Sequence, residues 1–341
     1  MIPPETPPLV GQSPHFLKAM EHVSQAAPLS RPVLVVGERG VGKELAAARL
    51  HFLSPRWDKP YLTLNCAALS DALLESELFG HEAGAFTGAI QRHIGRFERA
   101  SEGTLFLDEI ASASSRVQEK LLRIIEYGTF ERLGGSETLT VSTRVVAAAN
   151  VDLPDKARDG EFRADLLDRL AFDVITLPPL RKRWEDIPIL AMHFGQLMTA
   201  ELGHDRFPGF GMNAMRQLMA HDWPGNIREL KNAIERTTYR HLTGDEADEL
   251  IDQVQIDPFE SPWRLGGPAE KTPGADSAPA AQDPTDFKAR TEAFEKRLVE
   301  GALKACEGHQ GEAADHLSLS YHQLRNLLRK HEINAHAFKP G

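Results

Sequence analysis

The chain has 341 residues, enough for two or three domains that each bury a core, and its 41% apolar and 26% charged residues fit a globular protein. Its formal net charge of −10 excludes a general polyanion-binding surface, so any contact with nucleic acid must come from a local patch. No run approaches the ~20 apolar residues that cross a bilayer, which argues against membrane insertion.

Met1 to Pro8 is proline-rich and acidic rather than basic, and reads as a short disordered lead (1–8), not a targeting peptide. That leaves no room for a sensor domain ahead of the core. Cys66 and Cys306 are far apart and in no metal-like spacing, so the expectation is a cytoplasmic chain with reduced thiols. From Pro14 to Ala27, Phe16, Leu17, Met20 and Val23 recur at helical spacing. Val33–Val36 reads as a buried strand, followed by apolar runs at Tyr61–Leu64, Thr104–Leu107, Arg144–Ala149 and Asp173–Leu177. Strands separated by longer connections predict an α/β unit over 9–180, a parallel sheet with helices on both faces. After Pro178-Pro179, helices are expected at Asp186–Leu202, Met212–His221 and Asn226–His241, forming a small helical lid over 181–258. Residues 259–285 are dense in Pro, Gly and Ala and read as a linker. A last unit over 286–341 begins with an amphipathic helix, Phe287–Cys306, and continues with two short helices ending near His331.

Gly37-Glu38-Arg39-Gly40-Val41-Gly42-Lys43 fits G-x-x-x-x-G-K between a strand and a helix. Glycine amides and the helix N-terminus can wrap phosphates there, and Lys43 can reach the β- and γ-phosphates. Glu44 stands where a magnesium-ligating Ser or Thr is usual. Leu105-Phe-Leu-Asp108-Glu109 ends an apolar strand in two carboxylates at the edge of the sheet where ligands bind. One carboxylate can hold Mg2+ and the other can polarise water against the γ-phosphate, so ATP hydrolysis is predicted. Asn150 ends another core strand and could touch the γ-phosphate. Arg163 and Arg169 fit either surface ion pairs or fingers reaching a neighbouring subunit's site. Arg228, opening a helix after Pro224-Gly225, fits either a solvated side chain or a nucleotide contact.

Gly84-Ala85-Phe86-Thr87-Gly88-Ala89, inside the run Glu77 to Ala89, resembles the signature of bacterial enhancer-binding proteins, the AAA+ activators of the sigma-54 form of RNA polymerase. The likeness runs from about Leu9 to Asp257 and resumes in the C-terminal helices. In that family glutamate occupies the position of Glu44. The resemblance implies an AAA+ P-loop core in a ring, expected to be a hexamer, with ATP between subunits and arginine fingers at Arg163 and Arg169. It also implies that Glu109 is the catalytic base, Asp108 the magnesium-side carboxylate, Arg228 the lid sensor and Asn65 a switch acting on Glu109. The loop Gly84–Ala89 would grip sigma-54: its glycines supply hinges, while Phe86 and Thr87 offer an apolar tip with a hydroxyl. Where most of the family carries threonine before the sensor asparagine, this chain has Ala149.

The C-terminal helices have helix-turn-helix proportions, of the Fis type by resemblance. Ala313, Ala314, Leu317, Leu319, Leu324 and Leu328 would form the core, with Ser320 as N-cap of the second helix. Ser320, Tyr321, His322, Arg325 and Arg329 are the candidates for double-stranded DNA at an upstream site. Ser318 replaces the usual turn glycine and Gly311-Glu312 replace basic residues, so the phosphate-contacting charge is reduced. The same helices would also fit a packing or dimerising hairpin. With no receiver domain ahead of the core, control falls to expression level or to a regulatory protein acting in trans. Trp57, on a loop between Ser54-Pro55 and Lys59-Pro60, is the candidate contact for a negative regulator, although it could equally fold back on its own domain. The competing functions are another AAA+ machine, such as a helicase loader or unfoldase, and a DNA-binding repressor with a decayed ATP site.

Overall fold

The computed structural model describes residues 9–244, 247–260, 263, 287–306, 308–331 and 333–338. The chain divides into two compact units, Met1–Ser261 and Pro262–Gly341. The expected lead at 1–8, and all of the expected linker except 259, 260 and 263, lie outside the described residues.

In the first unit, strands β1 (Val33–Val36), β2 (Tyr61–Asn65), β3 (Thr104–Asp108), β4 (Thr129–Glu131), β5 (Thr138–Thr140), β6 (Arg144–Ala149) and β7 (Val174–Thr176) follow in chain order. Five of them form one sheet in the order β2-β3-β6-β1-β7, with every neighbouring pair parallel. The five apolar runs read from the sequence are these five strands. The antiparallel pair β4–β5 is separate and was not foreseen. Because side chains alternate across a strand, the inner strands β1, β3 and β6 each feed two cores at once, while the edge strand β7 feeds one. Leu34, Leu64, Leu105, Leu107, Val145, Ala147 and Ala149 face one cluster. Val33, Val35, Phe106, Val146, Ala148 and Ile175 face the other.

Helix α1 (Pro14–Ala26) starts where Ser13 accepts the Phe16 amide and Pro14 occupies the first turn, where a missing N–H costs nothing. Its buried side and that of α2 (Lys43–Phe52) cover the second face. The first face is covered by α3 (Asp71–Phe79), α4 (Arg96–Arg99), α5 (Ser115–Tyr127), α6 (Leu153–Arg158) and α7 (Ala164–Leu170). Arg144 opens β6 with a buried guanidinium that donates to the carbonyls of Ala26, Ala27 and Leu50. It thereby satisfies the Ala27 and Leu50 carbonyls near the ends of α1 and α2, and adds a second donor to Ala26 O, which also accepts the Leu29 amide. Burial pulls its pKa down to about 10.

The lid consists of α8 (Ile187–Glu201), α9 (Met212–Ala220) and α10 (Asn226–Leu242). Their core is built around Trp223, fully buried with its indole N–H donating to Leu218 O at 2.8 Å. A buried ion pair ties the lid's entry to the first residues of the sheet unit. Asp186 accepts from the Gln12 amide (2.6 Å), the Ser13 amide (2.8 Å), Ser13 Oγ (2.9 Å) and Arg183 Nε (2.7 Å). The Arg183 guanidinium also lies 3.9 Å over the Phe16 ring.

In the second unit, α11 (Phe287–Ala305), α12 (Gln310–His316) and α13 (Tyr321–Lys330) enclose a small core that includes Val299, Leu303, Ala313, Ala314, Leu324 and Leu328. Leu317 is only half-buried against that core, and Leu319 is half-buried as well, so both contribute less than their spacing suggested. Ser320 does cap α13, in a reciprocal capping box with Gln323. Between the two short helices Ser318 holds φ 54°, the left-handed conformation that favours glycine.

Candidate functional site

The glycine-rich turn joins β1 to α2 at the carboxyl edge of the sheet. Gly40 (φ 78°) and Gly42 (φ 99°) hold left-handed conformations that let the loop close, and a Cβ on Gly42 would meet nothing within 4 Å. Lys43 is buried, and its Nζ donates to Gly37 O (2.8 Å) and Glu38 O (3.0 Å). Burial lowers its pKa, while the charges of Asp108 and Glu109 work the other way. The lysine, the glycine loop and both carboxylates therefore share one electrostatic site. Val41 is buried in the core beneath the loop, whereas Glu44 is exposed in the first turn of α2, where a negative charge complements the helix dipole.

Asp108 and Glu109 close β3. Asp108 Oδ1 accepts the Glu109 amide at 2.9 Å, and Glu109 takes φ 51°, a left-handed turn that swings its side chain out of the strand's alternation. Its carboxylate lies 3.8 Å from Arg39 Nε. Asn65 is the register partner of Asp108 on the neighbouring strand, and its Oδ1 accepts the Ala67 amide at 2.8 Å. Asn150 directly follows Ala149, which is paired with Val36 and accepts the Gly37 amide at 3.2 Å. Asn65, Asp108, Glu109 and Asn150 thus end adjacent strands at the edge where the phosphate loop begins.

Arg228 is exposed near the start of α10, and its Cβ lies 3.0 Å from where a Gly40 Cβ would stand. Its charge reaches Lys43, adding to the downward pull on that pKa. Arg163 stands at the N-cap position of α7 without a side-chain capping bond and pairs with Asp165 (Nη2–Oδ2 2.6 Å), and Arg169 pairs with Glu126 (2.6 Å). Within one subunit both arginines therefore form surface ion pairs, and neither is buried.

The segment Gly84–Ala89 forms a compact turn in which the Gly84 amide donates to Ala89 O (2.8 Å) and the Ala89 amide to Phe86 O (3.0 Å). Gly84 (φ 81°) and Gly88 (φ 102°) both need the left-handed region. Thr87 is exposed; Phe86 is 47% exposed, and its ring meets His81 edge-on at 4.9 Å. Ala85 lies against Gly134 so closely that a Cβ there would stand 2.7 Å from Ala85 Cβ. The neck of this turn is braced by paired amides between His81 and His93, and by Glu82 and Leu133. Beneath it the buried Arg132 joins Glu82 (2.8 Å) and Glu98 (2.7 Å). Ile90, just past the motif, is 86% exposed and is the apolar residue that motif reading passed over.

Trp57 is 52% exposed on a turn that Arg56 anchors to Ser142 O at 2.6 Å. In the C-terminal unit Tyr321, His322, Arg325 and Arg329 are all exposed on α13, with Ser320 at its N-cap. Sequence reasoning missed Arg181 and Asn226: Arg181 binds Glu38 through both oxygens, and Asn226 bonds Glu38 and the Arg39 carbonyl. Only the Pro-Gly turn ahead of α10 hinted at a special helix start.

A phosphate loop with a buried lysine, a carboxylate pair at the end of the adjoining sheet and a helical lid carrying an arginine define a P-loop ATPase of the AAA+ class. Residues 9–176 match the family model of the sigma-54 interaction domain, 181–255 that of an AAA+ ATPase lid domain, and 291–331 that of the Fis family of bacterial regulatory proteins. The Psp operon transcriptional activator of Escherichia coli K12 is 52% identical over 95% of this chain and 98% of its own length. The C4-dicarboxylate transport regulatory protein DctD of Pseudomonas aeruginosa is 40% identical over 95% of this chain. The chain spans only 64% of that relative, and 47% of the Nif-specific regulatory protein of Azotobacter vinelandii. Among solved structures, NtrX from Brucella abortus in complex with ADP superposes with a TM-score of 0.67 at 30% identity, covering 96% of this chain and 69% of that one. The chain belongs to the sigma-54-dependent AAA+ transcriptional activators, with a Fis-type DNA-binding end.

Proposed function

We propose that this activator assembles into a ring, a hexamer, and uses Mg2+-dependent ATP hydrolysis at subunit boundaries to convert the closed sigma-54 promoter complex into an open one. The observation that carries this reading is the convergence of Lys43, Asp108 and Glu109 at one sheet edge in a chain that also presents an exposed Gly84–Ala89 turn. Among the described residues no three His, Cys, Asp or Glu side chains converge on a metal position. A hard divalent ion beside Asp108 would therefore take its other oxygens from phosphates and water, which suits Mg2+ arriving with the nucleotide. Bound there, it would neutralise developing charge on the phosphates.

The chain's own groups have separable tasks. The amides of Gly37–Glu44 cradle the phosphates, and Lys43 exchanges its two carbonyl partners for phosphate oxygens. Glu109 takes the proton of the attacking water, with Asn65 setting its rotamer and Asn150 addressing the γ-phosphate. Arg228 approaches from the lid. Arg163 and Arg169 leave Asp165 and Glu126 to reach the next subunit's site, where such arginines add about 10³–10⁵ in rate. The change in these contacts is passed to Gly84–Ala89, which engages sigma-54 through Phe86 and Thr87.

Upstream double-stranded DNA would be read by α13 through Tyr321, His322, Arg325 and Arg329, and ring assembly would raise the effective affinity of several weak sites. The likeness to the Psp operon transcriptional activator supports a phage-shock or envelope-stress operon as target. The exposed Trp57 would receive a negative regulator, and the protein would act in the bacterial cytoplasm. No helix among the described residues is long and apolar enough to cross a membrane. Phosphate release tests the core of this reading. Wild type should turn over ATP, and Glu109→Gln should lower kcat at least about a hundredfold while still binding nucleotide. Equal rates in both would overturn it.

A further inference from the structure

Between its glycines the phosphate loop carries Glu38 and Arg39, and wrapping phosphate requires neither side chain. Glu38 binds Arg181 through both oxygens, Nη1 to Oε2 at 2.8 Å and Nη2 to Oε1 at 2.5 Å. It also accepts from Asn226 Nδ2 at 3.1 Å. Asn226 is fully buried and holds φ 52°, an unusual conformation for a non-glycine residue that its surroundings must enforce. Its Nδ2 donates also to Arg39 O (3.0 Å), and its Oδ1 accepts the Leu180 amide (2.8 Å). One residue on, the Ile227 amide donates to Gly40 O at 3.0 Å. A Cβ on Gly40 would lie 2.3 Å from Gly225 O, so only glycine permits this approach. Glu38, Arg39 and Gly40 are thus each bonded to the first turn of α10. Arg181, from the segment leading into the lid, closes the arrangement.

We propose that Glu38 and Arg181 are positioning residues, a clasp that fixes the start of α10 on the phosphate loop and so aims Arg228 at the nucleotide. This deepens the ATPase reading and rests on it. Both clasp side chains are more than a third exposed, and exposed ion pairs add little to stability. Their value lies in orientation: a bidentate pair fixes an angle as well as a distance, and it is shared with a buried amide one and two residues ahead of Ile227 and Arg228. Arg181 and Asn226 hold the Glu38 carboxyl down at about 2, so the clasp is charged at every working pH.

The test is steady-state ATP turnover by the full chain as wild type, Glu38→Ala, Arg181→Ala, the double variant and Glu38→Gln. Misplacing a catalytic group by an ångström can cost up to ~100-fold, and a partial release predicts kcat about tenfold lower in each alanine single. KM should stay within about threefold, because the loop amides and Lys43 that bind ATP are untouched. The double variant should be no slower than the worse single, since both remove one interaction. Glu38→Gln keeps its acceptor and should fall between wild type and Glu38→Ala. Melting midpoints should agree within about 2 °C. Additive losses, unchanged rates, a raised KM at wild-type kcat, or a melting drop that tracks the loss of kcat would each overturn the clasp. Lys43→Ala run alongside separates the two readings. If it is inactive while the clasp variants behave as wild type, only the clasp falls; if it turns over ATP normally, the ATPase site itself is misassigned.

Discussion

Asp186→Asn probes how the lid is hung on the sheet unit. Asp186 and Arg183 are both buried, and the two carboxylate oxygens have different partners. Oδ1 accepts the Gln12 and Ser13 amides, and Oδ2 accepts Ser13 Oγ and Arg183 Nε. Asparagine can keep its oxygen on the two amides and let the Ser13 hydroxyl turn round to accept. Its NH2 then points at the Arg183 N–H, donor against donor, and a buried guanidinium is left without a counter-charge. Removing one partner of a buried pair costs about 3–5 kcal/mol. At about 2–4 °C per kcal/mol for a unit of this size, the melting midpoint should fall by roughly 6–20 °C. Burial alone would raise the Asp186 carboxyl, but the Gln12 and Ser13 amides, Arg183 and the Ser13 hydroxyl outweigh it, so it lies below its ordinary 3.8. A depressed folded-state pKa gives stability that is complete above the ordinary value and lost as pH falls through the folded one. The gap between wild type and variant should therefore be full at pH 7 and narrow below about pH 4. Differential scanning calorimetry at both pH values measures it. A loss under about 1 kcal/mol at pH 7, or a gap that widens in acid, would refute the reasoning.

Other consequences are equally direct. Ser318→Gly relieves the left-handed φ of 54° and should stabilise the C-terminal unit by about 0.5–1 kcal/mol, read from urea unfolding. Gly40→Ala would force a methyl to 2.3 Å from Gly225 O at a φ of 78°, so ATP turnover should fall at least about tenfold. If Arg169 acts across a subunit boundary, mixing inactive Arg169→Ala with inactive Lys43→Ala should restore part of the phosphate release, because some boundaries then carry an intact lysine facing an intact arginine. No recovery on mixing would place Arg169 in its own subunit's ion pair with Glu126 and nowhere else.

The parts legible in the sequence were those whose cause is local. β3 and β6 are continuous apolar runs because both their faces are covered, and the phosphate loop announces itself through glycines at fixed intervals. Ser320 was readable as a cap because capping is a four-residue event. The hairpin β4–β5 escaped because its strands are three residues each, too short to show a period. The Glu38–Arg181–Asn226 cluster escaped for another reason: its partners lie 143 and 188 residues from Glu38, and only the fold brings them together. The phenylalanine in the Gly84–Ala89 turn was expected at an apolar tip, and Phe86 is exposed there. Its edge-on contact with His81 was not legible, because it depends on the neck of the turn pairing His81 with His93.

If ATP hydrolysis at Lys43, Asp108 and Glu109 drives the Gly84–Ala89 turn against sigma-54, a transition-state mimic should trap the two proteins together. Size-exclusion chromatography of the full chain with sigma-54, ADP, magnesium and aluminium fluoride reads this out. Wild type should carry sigma-54 in its ring peak, and Thr87→Ala should lose it while hydrolysing ATP at close to the wild-type rate. Retention of sigma-54 by Thr87→Ala, or no complex with a wild type that still hydrolyses ATP, would mean that this turn is not what grips sigma-54.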